Sequence, residues 1–231
     1  MGRYGIKHMT QDRWTAVDRY LEGRLLGTDP SLDAVVEACA AAGLPPIAVS
    51  PSQGKLLFVL AKAMGARRIL EIGTLGGYSG IWLARALPSN GLLVTLELEA
   101  AHAEVARRNF ERAGVASQVD LRIGPALDLL PQIDTEALGP FDFVFIDADK
   151  VHHAEYLAWA IRLCRHGSLI LADNVVREGA VLDSASEDPS VQGVRRFMAA
   201  LGADGRVTAT GIQTVGDKGY DGFTAAVVTE S

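Results

Sequence analysis

The sequence predicts an α/β fold with a seven-stranded, mostly parallel sheet, helices on both faces and an antiparallel C-terminal hairpin. Short apolar runs alternate with helical patterns, which is typical of parallel strands joined by right-handed crossovers. Two runs, 141–146 and 167–172, are so apolar that they indicate strands buried on both faces. At 231 residues the chain has the length of one substantial domain.

Three helical patterns precede the first strand. They lie within residues 10–65, which are expected to form an N-terminal helical cover over the sheet. They run from Thr10 to about Leu26, from Asp29-Pro30 to Gly43, and from Ser50-Pro51 to Gly65. Asp or Ser before Pro is a typical helix start, because the side chain caps free amides and Pro suits the first turn. Residues 1–9 lack periodicity and contain His8-Met9, so we interpret them as a tag remnant and a disordered start.

The remaining residues, 66–231, form the expected core of the same domain. Its predicted strands are 68–72, 92–97, 119–123, 141–146 and 167–174, followed by 207–212 and 224–229 as a hairpin around the turn 219–222. Its predicted helices follow the first strand to about 87, then cover about 100–113, 126–130, 152–163 and 191–201. A polar connection, 175–190, leaves directly from Asn174, and loops at such positions commonly shape substrate pockets.

Composition and charge exclude several classes of protein. The formal charge is −6 with no basic block, so nucleic acid is not the expected partner, since phosphate binding needs clustered Lys and Arg. No apolar run approaches the roughly 18 residues of a membrane span, and no signal peptide is expected. Cys39 and Cys164 lie in separate helical patterns, which predicts buried free thiols in a reducing, cytoplasmic compartment.

Polar side chains follow two of the buried strands at the point where each strand ends. Asp147, Asp149 and Lys150 follow one strand, and Asp173 and Asn174 end the next. The C-terminal ends of parallel strands form a ligand crevice, so these side chains should meet at one edge. Oxygen donors from Asp147, Asp173 and Asn174 suit a hard cation such as Mg²⁺, Ca²⁺ or Mn²⁺. The alternative is that they only end strands and cap helices.

A glycine-rich turn, Gly73-x-x-Gly76-Gly77-x-x-Gly80, follows the first strand and lets backbone amides approach a ligand. Leu75 occupies the second glycine position of the dinucleotide-binding pattern. Glu71, just before the turn, would repel a pyrophosphate and attract a cation. Glu97 ends the second strand, where an acid can bind both ribose hydroxyls. A nucleoside with a cationic appendage, such as S-adenosylmethionine, fits this pair of acids.

Five short segments have a distinctive order and spacing: Leu70–Ser79, Gly124–Leu127, Asp147–Lys150, Asp173-Asn174 and Asp221–Thr224. Together they resemble the metal-dependent O-methyltransferases of the caffeoyl-CoA and catechol type. The match covers roughly residues 50–229, and segments 175–179 and 191–197 are most similar to the bacterial, small-molecule branch. The resemblance implies a Rossmann-like methyltransferase fold that transfers a methyl group from S-adenosylmethionine to one hydroxyl of a metal-chelated vicinal diphenol, a catechol or caffeoyl-like molecule.

The resemblance also implies a role for each site residue. The cofactor would contact Val49, Glu71, Gly73, Thr74, Ser79, Glu97, Ala126, Asp147 and Asp149, with Ser79 at its carboxylate, Glu97 on the ribose and Ala126 at the adenine. The metal would be held by Asp147, Asp173 and Asn174. Lys150 would be the general base beside a catalytic Asp147, and Lys150, Asp149 and Asp221 would lie near the acceptor. A purely electrostatic role for Lys150, paired with Asp147 or Asp149, stays open.

Where the family often has an aromatic residue or Asn, this chain has His152-His153. Adjacent helical side chains point about 100° apart, so we interpret the pair as helix surface or pocket rim. The family resemblance also suggests a homodimer, with apolar helix faces such as Leu21, Leu25 and Leu26 covered by a second chain.

Three other functions stay open at this point. Leu75, in place of the second glycine, and Glu71 argue against an NAD-dependent oxidoreductase. The negative net charge argues against an RNA methyltransferase. A non-catalytic S-adenosylmethionine-binding protein would have to retain the strand-end residues without using them.

Overall fold

The computed structural model describes residues 11–230 and contains one sheet with the strand order β3-β2-β1-β4-β5-β7-β6. The strands are β1 (Arg68–Ile72), β2 (Leu92–Glu97), β3 (Val119–Ile123), β4 (Phe141–Ile146), β5 (Cys164–Asp173), β6 (Val207–Gly216) and β7 (Gly219–Val228). The first five pair in parallel, and β7 is antiparallel to both β5 and β6. The predicted sheet and closing hairpin are therefore confirmed.

Eight α-helices surround this sheet within the described residues. They are α1 (Gln11–Leu25), α2 (Pro30–Ala41), α3 (Pro51–Ala63), α4 (Tyr78–Ala86), α5 (Ala100–Arg112), α6 (Ala126–Thr135), α7 (His153–Leu163) and α8 (Pro189–Ala203). None of the helices in residues 11–230 combines the length and apolar character needed to cross a membrane. The interpretation of residues 1–9 as a tag remnant lies outside the described part of the chain.

The predicted starts of α2 and α3 have the expected caps, while the predicted start at Thr10 lies outside the described residues. Asp29 accepts hydrogen bonds from the backbone amides of Ser31 and Leu32, and the Ser50 hydroxyl accepts one from Gln53. Arg85 of α4 also donates to Asp29 at 2.5 Å, which ties the start of α2 to the core. These local signals were readable because a helix start needs an oxygen acceptor for amides without a helical partner.

Strand β4 is buried along its whole length, as its apolar sequence predicts. Phe143 and Phe145 pack into the cluster that also holds the N-terminal cover. Val144 and Ile146 pack into the cluster on the opposite face, with α6, α7 and α8. Alternate side chains of a strand point to opposite faces, so β4 connects both halves of the core and fixes where its C-terminal end emerges.

Several predicted boundaries are wrong, and the end of α6 and the hairpin turn, with the strand ends beside it, differ most. Helix α6 continues through Pro131 to Thr135, because its buried face continues with Ile133 beyond the Pro. The hairpin turn is formed by Asp217 and Lys218 rather than 219–222, and Gly216 pairs with Gly219. Segment 219–222 instead belongs to β7, which brings Asp221 down toward the end of β5.

Candidate functional site

The ends of β1, β2 and β4 meet at one edge of the sheet. The Asp147 amide donates to the Ile72 carbonyl at 2.9 Å, and the Gly73 amide donates to Leu96 at 3.0 Å. Gly73 has φ +102°, and a Cβ there would lie 2.1 Å from the Asp147 carbonyl oxygen. Only glycine fits such an approach, so the glycine-rich turn and the Asp147 turn are held in contact.

Lys150 forms an ion pair within this edge. Its Nζ lies 3.0 Å from Asp147 Oδ1, and the residue is only 8% exposed. Helix α8 presses against the same turn through Gly193, where a Cβ would lie 2.0 Å from the Lys150 carbonyl oxygen. The electrostatic alternative for Lys150 thus has a geometric basis, with Asp147 rather than Asp149 as the partner.

Asp173 and Asn174 end β5 beside this pair. Asp173 is buried, and burial followed by the charge of Asp147 raises the pKa of its carboxyl above the ordinary value. The backbone amide of Asn174 donates a hydrogen bond to Asp173 Oδ1 at 2.9 Å. Asn174 has φ 56°, a left-handed conformation that Asn tolerates well. The side chain of Gln53, from α3, lies against the same carboxylate.

These strand-end oxygens suit a hard divalent cation. Within residues 11–230, no group of three or more His, Cys, Asp or Glu side chains is arranged to hold a metal ion. The predicted ligand set contains only two such side chains, Asp147 and Asp173. Its third ligand is the side-chain amide oxygen of Asn174. Asp147 and Asp173 bring two carboxylates together with one Lys150 ammonium, which leaves an excess of negative charge in a buried place. A divalent ion would compensate that excess.

Glu71 is fully buried behind the glycine-rich turn. Its two carboxylate oxygens accept hydrogen bonds of 2.6 Å from the Ser79 and Thr95 hydroxyls. Thr95 in turn lies 2.5 Å from the Thr74 hydroxyl. Burial raises the pKa of Glu71 to about 7, against the opposing effect of the two hydroxyls. Ser79, Glu71, Thr95 and Thr74 are therefore joined by a continuous series of buried hydrogen bonds beneath the turn.

Glu97 clamps the other side of the turn. Its Oε2 accepts the amides of Thr74 at 3.2 Å and Leu75 at 2.7 Å, and its Oε1 accepts the Glu99 amide at 2.9 Å. His102 Nδ1 lies 3.4 Å from Oε1. Leu75 has φ 50°, a conformation that these hydrogen bonds stabilise. The carboxylate expected on a ribose thus also holds the loop amides.

Two large apolar side chains are exposed beside Glu97. Leu98 follows it directly, and Ile123 ends the neighbouring strand just before Ala126. Ala126 is half-buried at the start of α6, and Val49 is buried in the cluster beneath the N-terminal cover. An exposed apolar surface at the strand ends is suited to the flat face of a nucleobase.

Asp149 caps the start of α7. It accepts from the His152 amide at 3.1 Å and from the Tyr156 hydroxyl at 2.5 Å. Burial alone would raise the pKa of Asp149, but these hydrogen bonds outweigh it and lower the pKa below its ordinary value. Both carboxylate oxygens are engaged by α7, while a contact with cofactor or acceptor stays a prediction.

The interpretation of His153 as helix surface or pocket rim is wrong. His153 is fully buried, with Nδ1 3.0 Å from the Asp149 carbonyl and its ring against the edge of Phe197. Burial, with the nearby Lys150 charge, lowers its pKa to about 4, so the ring is neutral at neutral pH. Its neighbour His152 is half-exposed, as expected from the helical offset.

Asp221 anchors the connection that leaves from Asn174. Its Oδ1 accepts the amides of Val176 and Arg177 at 2.9 and 3.0 Å. Arg177 and Glu178 both have φ 55° in this segment, a left-handed geometry that needs such support. The predicted polar connection thus contains 3₁₀ turns within Arg177–Leu182 that are interrupted at Glu178 and Gly179, and Asp221 fixes its start to β7. Direct contact between Asp221 and the acceptor stays a prediction.

Comparison with known proteins identifies the family. A family model described as O-methyltransferase matches residues 26–224. The chain belongs to the O-methyltransferase family. The catechol O-methyltransferases of Niastella koreensis and Mycobacterium tuberculosis are 53% and 54% identical, covering 95% and 92% of this chain and 100% and 94% of their own. The O-methyltransferase from Bacillus cereus in complex with SAH has a TM-score of 0.94 and 55% identity, covering 95% of this chain and 100% of its own.

Sequence reasoning missed several polar residues of this O-methyltransferase. Thr95 contacts Glu71, and Gln53 contacts Asp173. Asn109 of α5 donates a hydrogen bond to the Gly76 carbonyl at 2.8 Å. Asn109 did carry a signal, because it shares the apolar face of α5 with Ala106 and Phe110. A polar residue on a buried helix face needs a partner, and here that partner is the glycine-rich turn.

Proposed function

We propose that this O-methyltransferase transfers the methyl group of S-adenosylmethionine to one hydroxyl of a vicinal diphenol, a catechol or caffeoyl-like small molecule. The observation that carries the proposal is the meeting of the Asp147–Lys150 ion pair and buried Asp173 with the glycine-rich turn. The acceptor site and the cofactor site would then lie next to each other at one edge of the sheet. The names of the two catechol O-methyltransferases support the acceptor class.

For the cofactor, we assign the methionine part to the turn that begins at Gly73 and rests on Glu71. Buried Glu71 offers a carboxylate that is partly ionised near pH 7, which favours a sulfonium nearby. Glu97 would take the ribose hydroxyls, and the apolar surface of Leu98 and Ile123 would take the adenine beside Ala126. The relative from Bacillus cereus was solved with SAH, the demethylated form of this cofactor.

For the metal, we assign Asp147, Asp173 and Asn174 as ligands of Mg²⁺, with Ca²⁺ or Mn²⁺ as substitutes. When bound there, a divalent cation would supply positive charge that lowers the pKa of the acceptor hydroxyl. The charge balance supports this assignment. Two carboxylates and one ammonium leave one negative charge, which a divalent cation would convert into one positive charge, and a phenolate would neutralise it.

The chemistry itself breaks a carbon–sulfur bond and forms a carbon–oxygen bond, while the hydroxyl proton leaves. We assign Lys150, in its neutral amine form, as the group that receives this proton and becomes an ammonium, held by Asp147 at 3.0 Å. Glu71 and the turn would hold the methyl donor in line with the acceptor oxygen. Positioning of this kind is worth up to roughly 7–11 kcal/mol of the barrier. Lys150 and Asp173 are buried, and a site of this kind would keep water away from the reacting atoms.

We also propose a homodimer in the cytoplasm. Val17, Tyr20, Leu21 and Leu25 form one stripe of α1 and are between 40% and 69% exposed. Such a stripe at helical spacing suits burial against a second copy. Cys39 is half-buried and Cys164 is buried, and both are free thiols, which suits a reducing compartment. Cell fractionation with recovery in the cytoplasmic fraction checks the location.

An acceptor screen tests the proposed function. Vicinal diphenols and matched monophenols are incubated with the full chain and S-adenosylmethionine labelled in the methyl group. Label should appear on the vicinal diphenols in the presence of Mg²⁺ and not with chelator. Equal labelling of monophenols would contradict two-oxygen recognition, and no labelling of any diphenol would contradict the acceptor class.

A further inference from the structure

The peptide between Gly76 and Gly77 is the part of the turn with the least intrinsic restraint. Glycine on both sides means that no Cβ limits rotation of this peptide plane. Gly77 has φ +85°, and a Cβ there would lie 2.9 Å from the Phe110 ring. Gly76 has equally little room, since a Cβ would lie 2.0 Å from Cys39 Sγ. Close packing thus requires both glycines and leaves the peptide orientation to hydrogen bonds.

Asn109 supplies the hydrogen bond on one side of this peptide. Its Nδ2 donates to the Gly76 carbonyl at 2.8 Å, and the residue is 1% exposed. On the other side, the Gly77 amide donates to the Thr74 carbonyl at 2.9 Å. The carbonyl and the amide of one peptide plane are therefore both bonded, and each bond opposes rotation of the plane.

The orientation of the Asn109 amide is itself fixed. Arg112 Nη1 donates to Asn109 Oδ1 at 2.9 Å, so the Nδ2 group must face Gly76. Arg112 also reaches the Ala34 carbonyl of α2 at 3.4 Å. Helix α5 therefore holds the turn from outside, while Glu97 holds the Thr74 and Leu75 amides at the end of β2.

We propose that Asn109 is a positioning residue for S-adenosylmethionine, acting through the Gly76–Gly77 peptide. It fixes the turn before the cofactor binds, so the binding free energy is not reduced by ordering two glycines. The inference rests on the proposed function, since it needs the turn to be the cofactor site. Asn109 touches no reacting atom, so its loss should affect cofactor affinity rather than the chemical step.

The test is Asn109→Asp in the full chain, with binding of S-adenosylmethionine and SAH measured by calorimetry. This substitution keeps the shape and the acceptor for Arg112, but it replaces the donor with an oxygen facing the Gly76 carbonyl. Cofactor affinity should fall by about ten- to hundred-fold, the range for one lost buried hydrogen bond. At saturating cofactor, kcat and the acceptor KM should stay within about twofold.

Two further variants separate positioning from general stability. Arg108→Met, at an exposed position of the same helix where Arg108 pairs only with Glu104 among the described residues, should leave cofactor affinity within about threefold of wild type. Asn109→Ala should weaken binding like Asn109→Asp, with the melting temperature recorded for every variant. Unchanged affinity in both Asn109 variants would overturn the proposal, as would failure of both to fold, because Asn109 would then be an ordinary core residue. If the wild type itself binds no cofactor, the proposed function fails instead.

Discussion

Ser79 donates a 2.6 Å hydrogen bond to Glu71, so two side chains expected to face the cofactor also bind each other. Thr95 donates an equally short bond to the second carboxylate oxygen. Glu71 is fully buried, and burial raises its pKa to about 7. The position of this carboxylate is therefore set by the protein's own hydroxyls, and its charge varies within the physiological pH range.

The raised pKa of Glu71 makes stability depend on pH. The folded-state pKa of about 7 exceeds the ordinary 4.5, so the folded chain binds this proton more tightly than the unfolded chain. The stabilising contribution is complete below the unfolded pKa and is lost as pH rises through 7. The free energy of unfolding of wild type relative to Glu71→Gln should fall by about 2–3 kcal/mol between pH 5 and pH 8. Urea unfolding at both pH values measures it, and a constant difference would refute the assignment.

Glu97 should be a determinant of cofactor affinity. Glu97→Ala removes the proposed ribose acceptor and releases the Thr74 and Leu75 amides. We expect a loss of about 1–3 kcal/mol, or one to two decades in the S-adenosylmethionine Kd, measured by calorimetry. Glu99→Ala is the matched control, since only the backbone of Glu99 contacts Glu97. If Glu97→Ala binds like the control, the ribose contact lies elsewhere.

Lys150 has two alternative roles, as the general base that receives the hydroxyl proton or as a fixed positive charge. Lys150→Met should lower kcat by about 10²–10⁴-fold if it receives the proton, while the cofactor Kd stays within about threefold. Lys150→Arg separates the alternatives, because Arg keeps the charge but does not give up its proton. Recovery of most activity with Arg would support the electrostatic role and exclude Lys150 as base. Lys62→Met, at an exposed position of α3, controls for loss of a lysine.

The apolar stripe of α1 should mediate dimer formation. Light scattering of the full chain at micromolar concentration should give twice the monomer mass of 24.6 kDa. Introducing Glu at both Tyr20 and Leu25 should shift the mass to the monomer, because burying the new carboxylates is costly. Arg19→Glu, on another face of the same helix, should leave the dimer intact. A wild-type mass of 24.6 kDa would show that the stripe is not a dimer interface.

The sequence predicted the fold and the convergence of Asp147 and Asp173, because the ends of neighbouring parallel strands must meet at one edge. Helix starts such as Asp29-Pro30 were equally legible, since capping is a local property. The hairpin turn was misplaced because the glycines at 219 and 222 suggested a turn, whereas Asp217 and Lys218 form it. Strand pairing along the whole of β7 decided that boundary, and pairing of this kind is not local.

Contacts between distant elements could not be read from the chain. His153 looks like a surface residue until α8 places Phe197 against its ring. Asp221 looks like a free acid until the loop after Asn174 brings the Val176 and Arg177 amides to it. In both cases a partner more than forty positions away sets the environment of the side chain. Residue type alone predicted their presence near the site but not their partners.

Metal-dependent methyl transfer at the Asp147–Asp173 edge is tested most directly by assaying wild type and Asp173→Ala with a vicinal diphenol and labelled S-adenosylmethionine. Each protein is assayed with Mg²⁺ and with chelator, and Asp128→Ala, at an exposed position of α6, is the control. Wild type and control should turn over only with Mg²⁺. Asp173→Ala should be inactive and should bind Mg²⁺ more weakly by calorimetry, yet remain folded with nearly unchanged cofactor affinity. Full activity of wild type or of Asp173→Ala in chelator would contradict the metal-dependent mechanism.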